Sequence, residues 1–180
     1  SFEGLFQPRV ISARLLQRVR VANAAIMLAV LVWDVAVFLS TYASVHPLRY
    51  FGFLSRWTLL LVVAYLVGAA WVSIRHPIPV KGSPPRTPAM RCLWMAHSIA
   101  LPASIAVVPL YWGQLLVSEY VGHAIHPCNY FVHGYNAIAM LLDHSITRRS
   151  WRAHHGLYIL AYGLANMVFM FAYFHLCGCP

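Results

Sequence analysis

Residues 129–143 read NYFVHGYNAIAMLLD, a stretch that is apolar enough to cross a membrane and yet carries four polar side chains. They are Asn129, His133, Asn136 and Asp143. The steps between them are four, three and seven positions. On a helix such steps place all four on one side. Polar groups at membrane depth are costly when they face lipid, so this stripe is expected to face protein or a water-filled cavity.

The composition is that of an integral membrane protein. Of the 180 residues, 61% are hydrophobic and only 9% are charged, whereas a soluble domain has about 45–50% apolar and about 25% charged residues. At roughly 20 residues per span, the length predicts an all-α polytopic membrane protein with about five transmembrane helices in one domain, residues 1–180. The net charge of +9 does not indicate a nucleic-acid partner, because the basic residues lie between the apolar segments, where topology signals belong.

Five apolar segments are predicted to span the membrane: residues 21–42, 53–73, 92–112, 129–143 and 154–175. Residues 1–21 interleave arginines with apolar residues, which predicts an N-terminal amphipathic helix on the membrane surface. Ser12 is the expected N-cap of that helix. Residues 75–91 are rich in proline and are predicted to form an extended loop outside the bilayer on the inner side.

The basic residues divide unevenly between the two sides that five spans create. Eleven lie on the side of the N-terminus, and two, Arg49 and Arg56, lie on the other. The positive-inside rule therefore predicts that the N-terminus lies on the cytoplasmic or matrix side. Ser55 and His133 then both lie near the outer ends of their helices, at a similar depth in the membrane.

Ser55 and His133 are the residue types that an ester hydrolase needs. A hydroxyl is a weak nucleophile until a neighbouring base takes its proton, and neutral histidine is the usual base. Close to one membrane face, such a pair is suited to an ester whose acyl chains lie in the bilayer. Asn136 or Asn129 is expected to orient the imidazole or the oxyanion. Two other interpretations stay open: Ser55 as the N-cap of the second span, and His133 as a packing residue hydrogen-bonded to a carbonyl or hydroxyl.

The segments FLSRWTLL, residues 53–60, and HGYNAIAMLLD, residues 133–143, resemble the two signature regions of the rolling stone / androgen-induced protein family of multi-pass membrane proteins. The resemblance covers most of residues 24–175. It implies a threonine-type hydrolase of fatty acid esters of hydroxy fatty acids, with the nucleophile at Ser55 and the base at His133. The chain departs from the family pattern in carrying serine instead of threonine, and in reaching residue 180 soon after the fifth span.

A second hypothesis retains the family fold without its chemistry, as a non-catalytic subunit of a larger membrane complex. Its partners would be other membrane-protein subunits, whereas the partners of a hydrolase would be membrane lipids. A hydrolase would belong in an endomembrane or the plasma membrane, and a complex subunit in the mitochondrial inner membrane. A role in cell fusion, as in rolling-stone-like members, is a third hypothesis.

No cofactor and no metal site is predicted, although the chain has ten histidines. Paired histidines on facing helices can ligate haem. The same-side pairs are His133 with His175, and His97 with His144 or His154. His123 and His126 have the spacing of two metal ligands, but no third ligand is evident.

The two acidic residues inside predicted spans are expected to be structural. Asp34 should pair with an arginine, histidine, asparagine or hydroxyl on another helix. Asp143 lies at the inner end of its helix, away from His133, and is not counted as the acid of a triad. It is expected to pair with the nearby arginines at positions 148, 149 and 152.

Overall fold

The fold is that of a computed structural model, which describes residues 12–41, 47–75, 87–117, 126–147 and 155–177. The described residues form five helical segments. Four are α1 (Ala13–Thr41), α2 (Leu54–Arg75), α3 (Pro88–Val117) and α5 (His155–Cys177). The remaining segment, α4, runs through Cys128–Tyr130, the π-helical Phe131–Tyr135 and Asn136–Ile146. A 3₁₀ helix, Pro47–Gly52, precedes α2.

Four helices, α1, α2, α3 and α5, are long and apolar enough to cross a membrane. The α4 segment covers residues 128–146, which is about 28 Å at the α-helical rise of about 1.5 Å per residue. That length is close to the hydrocarbon thickness of a bilayer, about 30 Å. The prediction of an all-α polytopic membrane protein is confirmed, and each predicted span corresponds to one helical segment.

The amino-terminal helix begins as predicted but does not end where predicted. The Leu15 amide donates to Ser12 Oγ at 3.2 Å, so Ser12 caps α1. No break separates a surface helix from the first span, because the residues between them are all good or tolerated helix formers. With 29 residues, α1 is about 44 Å long, some ten residues more than the hydrocarbon core requires. Residues 1–11, about half of the predicted N-terminal segment, lie outside the described residues.

Most of the predicted proline-rich loop, residues 75–91, also lies outside the described residues. At its two ends, Arg75 is the last residue of α2 and Pro88 is the first of α3. Proline suits that first position because its missing N–H would have no helical partner there. Thr87 Oγ1 accepts from the Met90 amide at 3.3 Å and caps the helix.

The core of the bundle is formed around α2, which packs against α1 on one side and α3 on the other. Leu59, Val62 and Leu66 are fully buried there. At Gly68 a Cβ would meet Leu93 Cδ2 of α3 at 2.6 Å, so the glycine permits the close approach of α2 and α3. The α5 helix packs mainly against α3 and keeps most of its large apolar side chains exposed.

Alternation of the helices gives the bundle two ends. We call "the N-terminal end" the one at which α1, α3 and α5 begin, and "the far end" the opposite one. Contacts between distant residues support this arrangement. Arg20, early in α1, meets Ser73 at the close of α2, whereas Asp34, late in α1, meets Arg56 at the start of α2.

Candidate functional site

A cavity of about 240 Å³ lies at the far end of the bundle, between the start of α2, the last turns of α3 and the start of α4. We call it the Ser55 cavity. It is lined by Phe53, Leu54, Ser55, Val107, Leu110, Tyr111, Gln114 and His133. Two of the three sequence-predicted site residues, Ser55 and His133, therefore line the same space although they belong to different helices.

The His133 imidazole is held by the helix that carries it and by one aromatic neighbour. It lies in the π-helical part of α4, and single π-helical turns occur frequently at functional sites. The side chain is only 7% exposed. Its ring stacks face to face on Tyr111, with ring centroids 3.5 Å apart and planes 6° from parallel. Within the described part of the chain Nδ1 has no hydrogen-bond partner, so the expected packing bond to a carbonyl or hydroxyl is not found there.

Ser55 occupies the second position of α2 and is half-buried. Because the helix begins at Leu54, Ser55 is inside it and is not its N-cap. Among the described residues the Ser55 hydroxyl makes no hydrogen bond, to His133 or to any other group. The hydroxyl thus lies at the cavity without a hydrogen-bond partner among the described residues.

Thr58, one turn further along α2, offers a contrasting hydroxyl. It is fully buried and does not line the cavity. Its Oγ1 donates to the Leu54 carbonyl at 2.9 Å and lies 3.2 Å from the Tyr162 hydroxyl. Because its proton is already used within the helix, Thr58 is poorly placed to give it to a base.

Asn136, the third predicted site residue, is not brought into the cavity. It is 1% exposed, and both its Nδ2 and its Oδ1 lack hydrogen-bond partners among the described residues. A π-helical turn takes more residues than an α-helical one. A step of three from His133 therefore falls further short of a complete turn and directs Asn136 elsewhere. A role of Asn136 in orienting the imidazole stays a prediction.

Tyr111 and Gln114 belong to the cavity and were missed in the sequence. With Val107 and Leu110 they follow steps of three, one and three, which place them on one face of α3. Gln114 is exposed and lies outermost, near the end of α3. Its polar side chain among apolar neighbours was the available signal, but a polar residue near the end of a span is ordinarily an interface residue.

An ion pair next to the cavity fixes the start of α2. Arg56 Nε lies 3.4 Å from Asp34 Oδ2, and the Tyr50 hydroxyl donates to the same oxygen at 2.7 Å. The Arg56 guanidinium also lies over the rings of Tyr50, Phe53 and Phe38, at 4.5, 5.1 and 4.7 Å. Burial, together with the bond to Asp34, raises the pKa of the Tyr50 phenol, which therefore stays a donor. The expectation of a structural partner for Asp34 is confirmed, and Phe53 of the cavity wall is held by the same cluster.

Asp143 belongs to a separate network at the N-terminal end. Arg20 Nε donates to Asp143 Oδ1 at 2.8 Å, and both side chains are 1% exposed. The Tyr65 hydroxyl donates to Asp143 Oδ2, and Arg20 Nη1 donates to Ser73 Oγ at 2.9 Å. Asp143 is therefore paired with an arginine, as expected, but with Arg20. The arginines at 148, 149 and 152 lie outside the described residues.

Two of the other described histidines lie in contact with each other. His97 and His144 lie together as expected, with rings 5.5 Å apart and 19° from parallel. Among the described residues no group of three histidine, cysteine, aspartate or glutamate side chains is arranged to hold a metal ion. His123 and His154 lie outside the described residues, so the pairs that include them have no structural description. The absence of a cofactor stays a prediction.

Comparisons of the chain with protein-family models, with curated proteins and with solved structures gave no match. The resemblance to the rolling stone / androgen-induced protein family stays a prediction from the two sequence segments.

Proposed function

We propose that this chain is an intramembrane hydrolase of lipid esters, in which Ser55 is the nucleophile and His133 the base. The observation that carries the proposal is the shared cavity of about 240 Å³, which Ser55 and His133 both line. A hydroxyl and an imidazole on one concave surface meet the first requirement of nucleophilic catalysis. The resemblance to a family of threonine-type ester hydrolases points to the same two residues.

The hydrogen bonding of Ser55 and the orientation of His133 support these roles. Ser55 Oγ has no hydrogen bond among the described residues, whereas the neighbouring Thr58 hydroxyl is already bonded to Leu54 and Tyr162. His133 is fixed in orientation by its stack on Tyr111. Because Nδ1 is fully buried and Nε2 is not, Nε2 is the nitrogen that would accept the serine proton. The absence of a direct Ser55–His133 bond is compatible with the role, since catalytic hydrogen bonds often form only when substrate is bound.

The reaction follows from these positions. Ser55 Oγ attacks the ester carbonyl while its proton passes to His133, which gives a tetrahedral intermediate. The intermediate collapses to an acyl-Ser55, and the departing alcohol takes the proton from His133. Water then attacks the acyl group with His133 again as base, which releases the carboxylic acid and restores Ser55.

Gln114 is the group that we assign to the developing oxyanion. Among the described residues that line the cavity it is the one amide side chain, and its N–H groups are the type of donor that stabilises a tetrahedral intermediate. This assignment replaces the expected use of Asn136, which does not line the cavity.

The cavity walls favour an ester with a long acyl chain. Phe53, Leu54, Val107 and Leu110 make most of the lining apolar. A volume of about 240 Å³ lies below the roughly 300–1,000 Å³ of pockets that bury a drug-sized ligand. It holds an ester group and a few methylenes, so the rest of the chain must continue outside. Phe53 and Leu110 are 52% and 58% exposed, and the substrate chain would pass between them into the surrounding lipid.

The basic residues extend the proposal to topology. Their eleven-to-two distribution favours the N-terminal end of the bundle on the cytoplasmic or matrix side. The Ser55 cavity would then act on lipids of the opposite leaflet, in an endomembrane or the plasma membrane.

Labelling with a fluorophosphonate probe, which reacts with activated serine hydroxyls, tests the proposal. The full chain in detergent or nanodiscs is compared with Ser55→Ala, His133→Ala and the control Ser145→Ala. Ser145 is an exposed serine at the N-terminal end that bonds to the Leu141 carbonyl. Labelling of the wild type and of Ser145→Ala, with loss in the other two, supports the proposal. Equal labelling of all four proteins, or none in any of them, contradicts it.

The alternative, a non-catalytic subunit of a larger membrane complex such as one of the mitochondrial inner membrane, is favoured by the surface of α5. Leu157, Met167, Val168 and Phe171 are each 67–69% exposed, a lateral face that lipid or another subunit would cover. Solubilisation of native membranes in a mild detergent separates the two hypotheses. Recovery of the chain only in an assembly of several proteins, together with an unreactive Ser55, supports the subunit. Recovery as the chain alone, with a reactive Ser55, supports the hydrolase.

A further inference from the structure

The stack of His133 on Tyr111 has a geometry that suits a charged ring better than a neutral one. The two ring centroids are 3.5 Å apart and the planes are 6° from parallel, so the rings lie almost directly over each other. Two neutral aromatic rings prefer an offset or edge-to-face contact, with centroids about 4.5–7 Å apart, because the negative faces of their π-systems repel. The rings of His97 and His144 keep that wider spacing, at 5.5 Å. A cation, in contrast, is attracted to the face of an aromatic ring.

A positive charge on His133 would find no carboxylate partner in the described part of the chain. In a serine–histidine–aspartate triad, a carboxylate beside the imidazole stabilises the imidazolium that forms. The described carboxylates here are Asp34 and Asp143, and each is already paired with an arginine. No ion pair joins either of them to His133. The Nδ1 atom of His133, which would donate to such a carboxylate, has no hydrogen-bond partner among the described residues.

The surroundings of His133 make an imidazolium costly. The side chain is only 7% exposed, so water solvates a charge on it poorly. The Arg56 guanidinium acts on the same side chain with a charge of like sign. The group that lies against the imidazole plane is the face of the Tyr111 ring, which carries negative electrostatic potential. Tyr111 is therefore placed to offset part of the cost of charging His133.

We propose that Tyr111 is a positioning residue of the Ser55 cavity, whose ring face stabilises His133 when the imidazole holds the proton of Ser55. This role rests on the proposed function, since it concerns the charge that His133 acquires as the base. As Ser55 Oγ attacks the ester carbonyl, its proton moves to Nε2, and the resulting imidazolium forms a cation–π pair with Tyr111.

The contact contributes to rate because it is strongest after proton transfer. Before the attack the imidazole is neutral and the stack gives little attraction. In the tetrahedral intermediate the imidazole is charged, and the charge disappears again when the departing alcohol takes the proton. An interaction that strengthens towards the transition state accelerates the chemical step. The ring of Tyr111 thereby takes the part that a carboxylate takes in a triad.

Fluorinated phenylalanines at position 111 test the proposal, because each fluorine withdraws electron density from the ring face while the ring keeps its shape. The full chain in nanodiscs carries phenylalanine with zero, one, two or three fluorine atoms there, and the rate of fluorophosphonate labelling of Ser55 is measured. Tyr111→Phe keeps the ring face and should label at a rate close to that of the wild type. The rate should then fall with each added fluorine. Tyr111→Leu, which has no ring, should label about thirtyfold more slowly, as expected for loss of a desolvated cation–π contact.

Tyr130 provides a matched control. It is a tyrosine at the same end of the bundle, its ring lies 5.2 Å from that of Trp112, and it does not line the cavity. The same fluorinated series at position 130 should leave the labelling rate unchanged. A purely structural role of Tyr111 would give no dependence on the number of fluorine atoms, because the ring shape is the same throughout.

Three results overturn the proposal while Ser55 of the wild type is still labelled, so that the proposed function stands. They are a labelling rate that does not fall along the series at position 111, an equal fall along the series at position 130, and labelling of Tyr111→Phe as slow as that of Tyr111→Leu. The last result would assign the effect to the hydroxyl instead of the ring. A wild type that is not labelled overturns the proposed function, and the role of Tyr111 with it.

Discussion

The Arg20–Asp143 network and the Ser55 cavity, which lie at opposite ends of the bundle, differ in whether their polar side chains are bonded to one another. At the N-terminal end, Arg20, Asp143, Tyr65 and Ser73 bond to one another with the two charges almost fully buried. At the far end, Ser55 and His133 border an open volume and neither makes a hydrogen bond within the described part of the chain.

The difference separates polar groups that bond to one another inside the bundle from polar groups that line a cavity and have no hydrogen bond among the described residues. A buried charge is stable only when it is paired, so loss of either partner of the Arg20–Asp143 pair should destabilise the packing of α1, α2 and α4. A hydroxyl and an imidazole that line the same cavity without hydrogen bonds among the described residues give no such stability. Substitutions in the Arg20–Asp143 network should accordingly affect stability, and substitutions in the lining of the Ser55 cavity should affect activity.

The largest expected effect is on stability at the N-terminal end. Asp143→Asn leaves the Arg20 charge buried without its counter-ion, which should lower the free energy of unfolding in detergent by about 3–5 kcal/mol. The double variant Arg20→Met/Asp143→Leu removes both charges and should be less destabilised than Asp143→Asn. Denaturant titration of purified protein measures both. A double variant as unstable as the single one would show that the charge pair is not the cause.

The next effect is on activity at the far end. Gln114→Leu removes the proposed oxyanion donor and should lower kcat about 10²–10³-fold, with little change in KM. Because Gln114 is exposed, the free energy of unfolding of the Gln114→Leu protein should stay within about 0.5 kcal/mol of the wild-type value. Gln114→Glu keeps the shape of the side chain but lacks the N–H donor, and should lose activity similarly. Hydrolysis of a long-chain ester in nanodiscs is the assay, and full activity in Gln114→Glu would refute the role.

The smallest expected effect distinguishes two hydroxyl groups of α2, those of Ser55 and Thr58. Thr58→Val removes the bonds to Leu54 and Tyr162 and should cost about 1 kcal/mol of stability. It should leave fluorophosphonate labelling unchanged, because Thr58 does not line the cavity. Thermal unfolding and labelling are measured on the same preparation. A loss of labelling with the fold intact would move the nucleophile from Ser55 to Thr58.

The helices and the shared depth of Ser55 and His133 could be predicted from the sequence for physical reasons. Hydropathy over about 20 residues identifies a span without any tertiary information. The distribution of arginines then indicates on which side of the membrane each connection lies. Ser55 and His133, near the starts of two helices that run in the same direction, therefore fall at the same depth in the membrane. The Ser12 cap is likewise a local feature and was predictable.

The remaining features depend on contacts between distant residues. Asp143 was expected to pair with arginines a few positions away, but helix packing brings Arg20 to it instead. The π-helical turn at His133 changes the register that a regular helix implies, and so Asn136 could not be placed. Gln114 joins the site only because the last turns of α3 lie against α4.

The most direct test of the central claim is to locate the fluorophosphonate adduct by peptide mass spectrometry of the labelled, folded chain. Nucleophilic catalysis from the Ser55 cavity predicts one adduct, on Ser55, which forms in Thr58→Val and is lost in His133→Ala. An adduct on Thr58 or Tyr111, or no adduct on Ser55 in a folded wild-type protein, would contradict it.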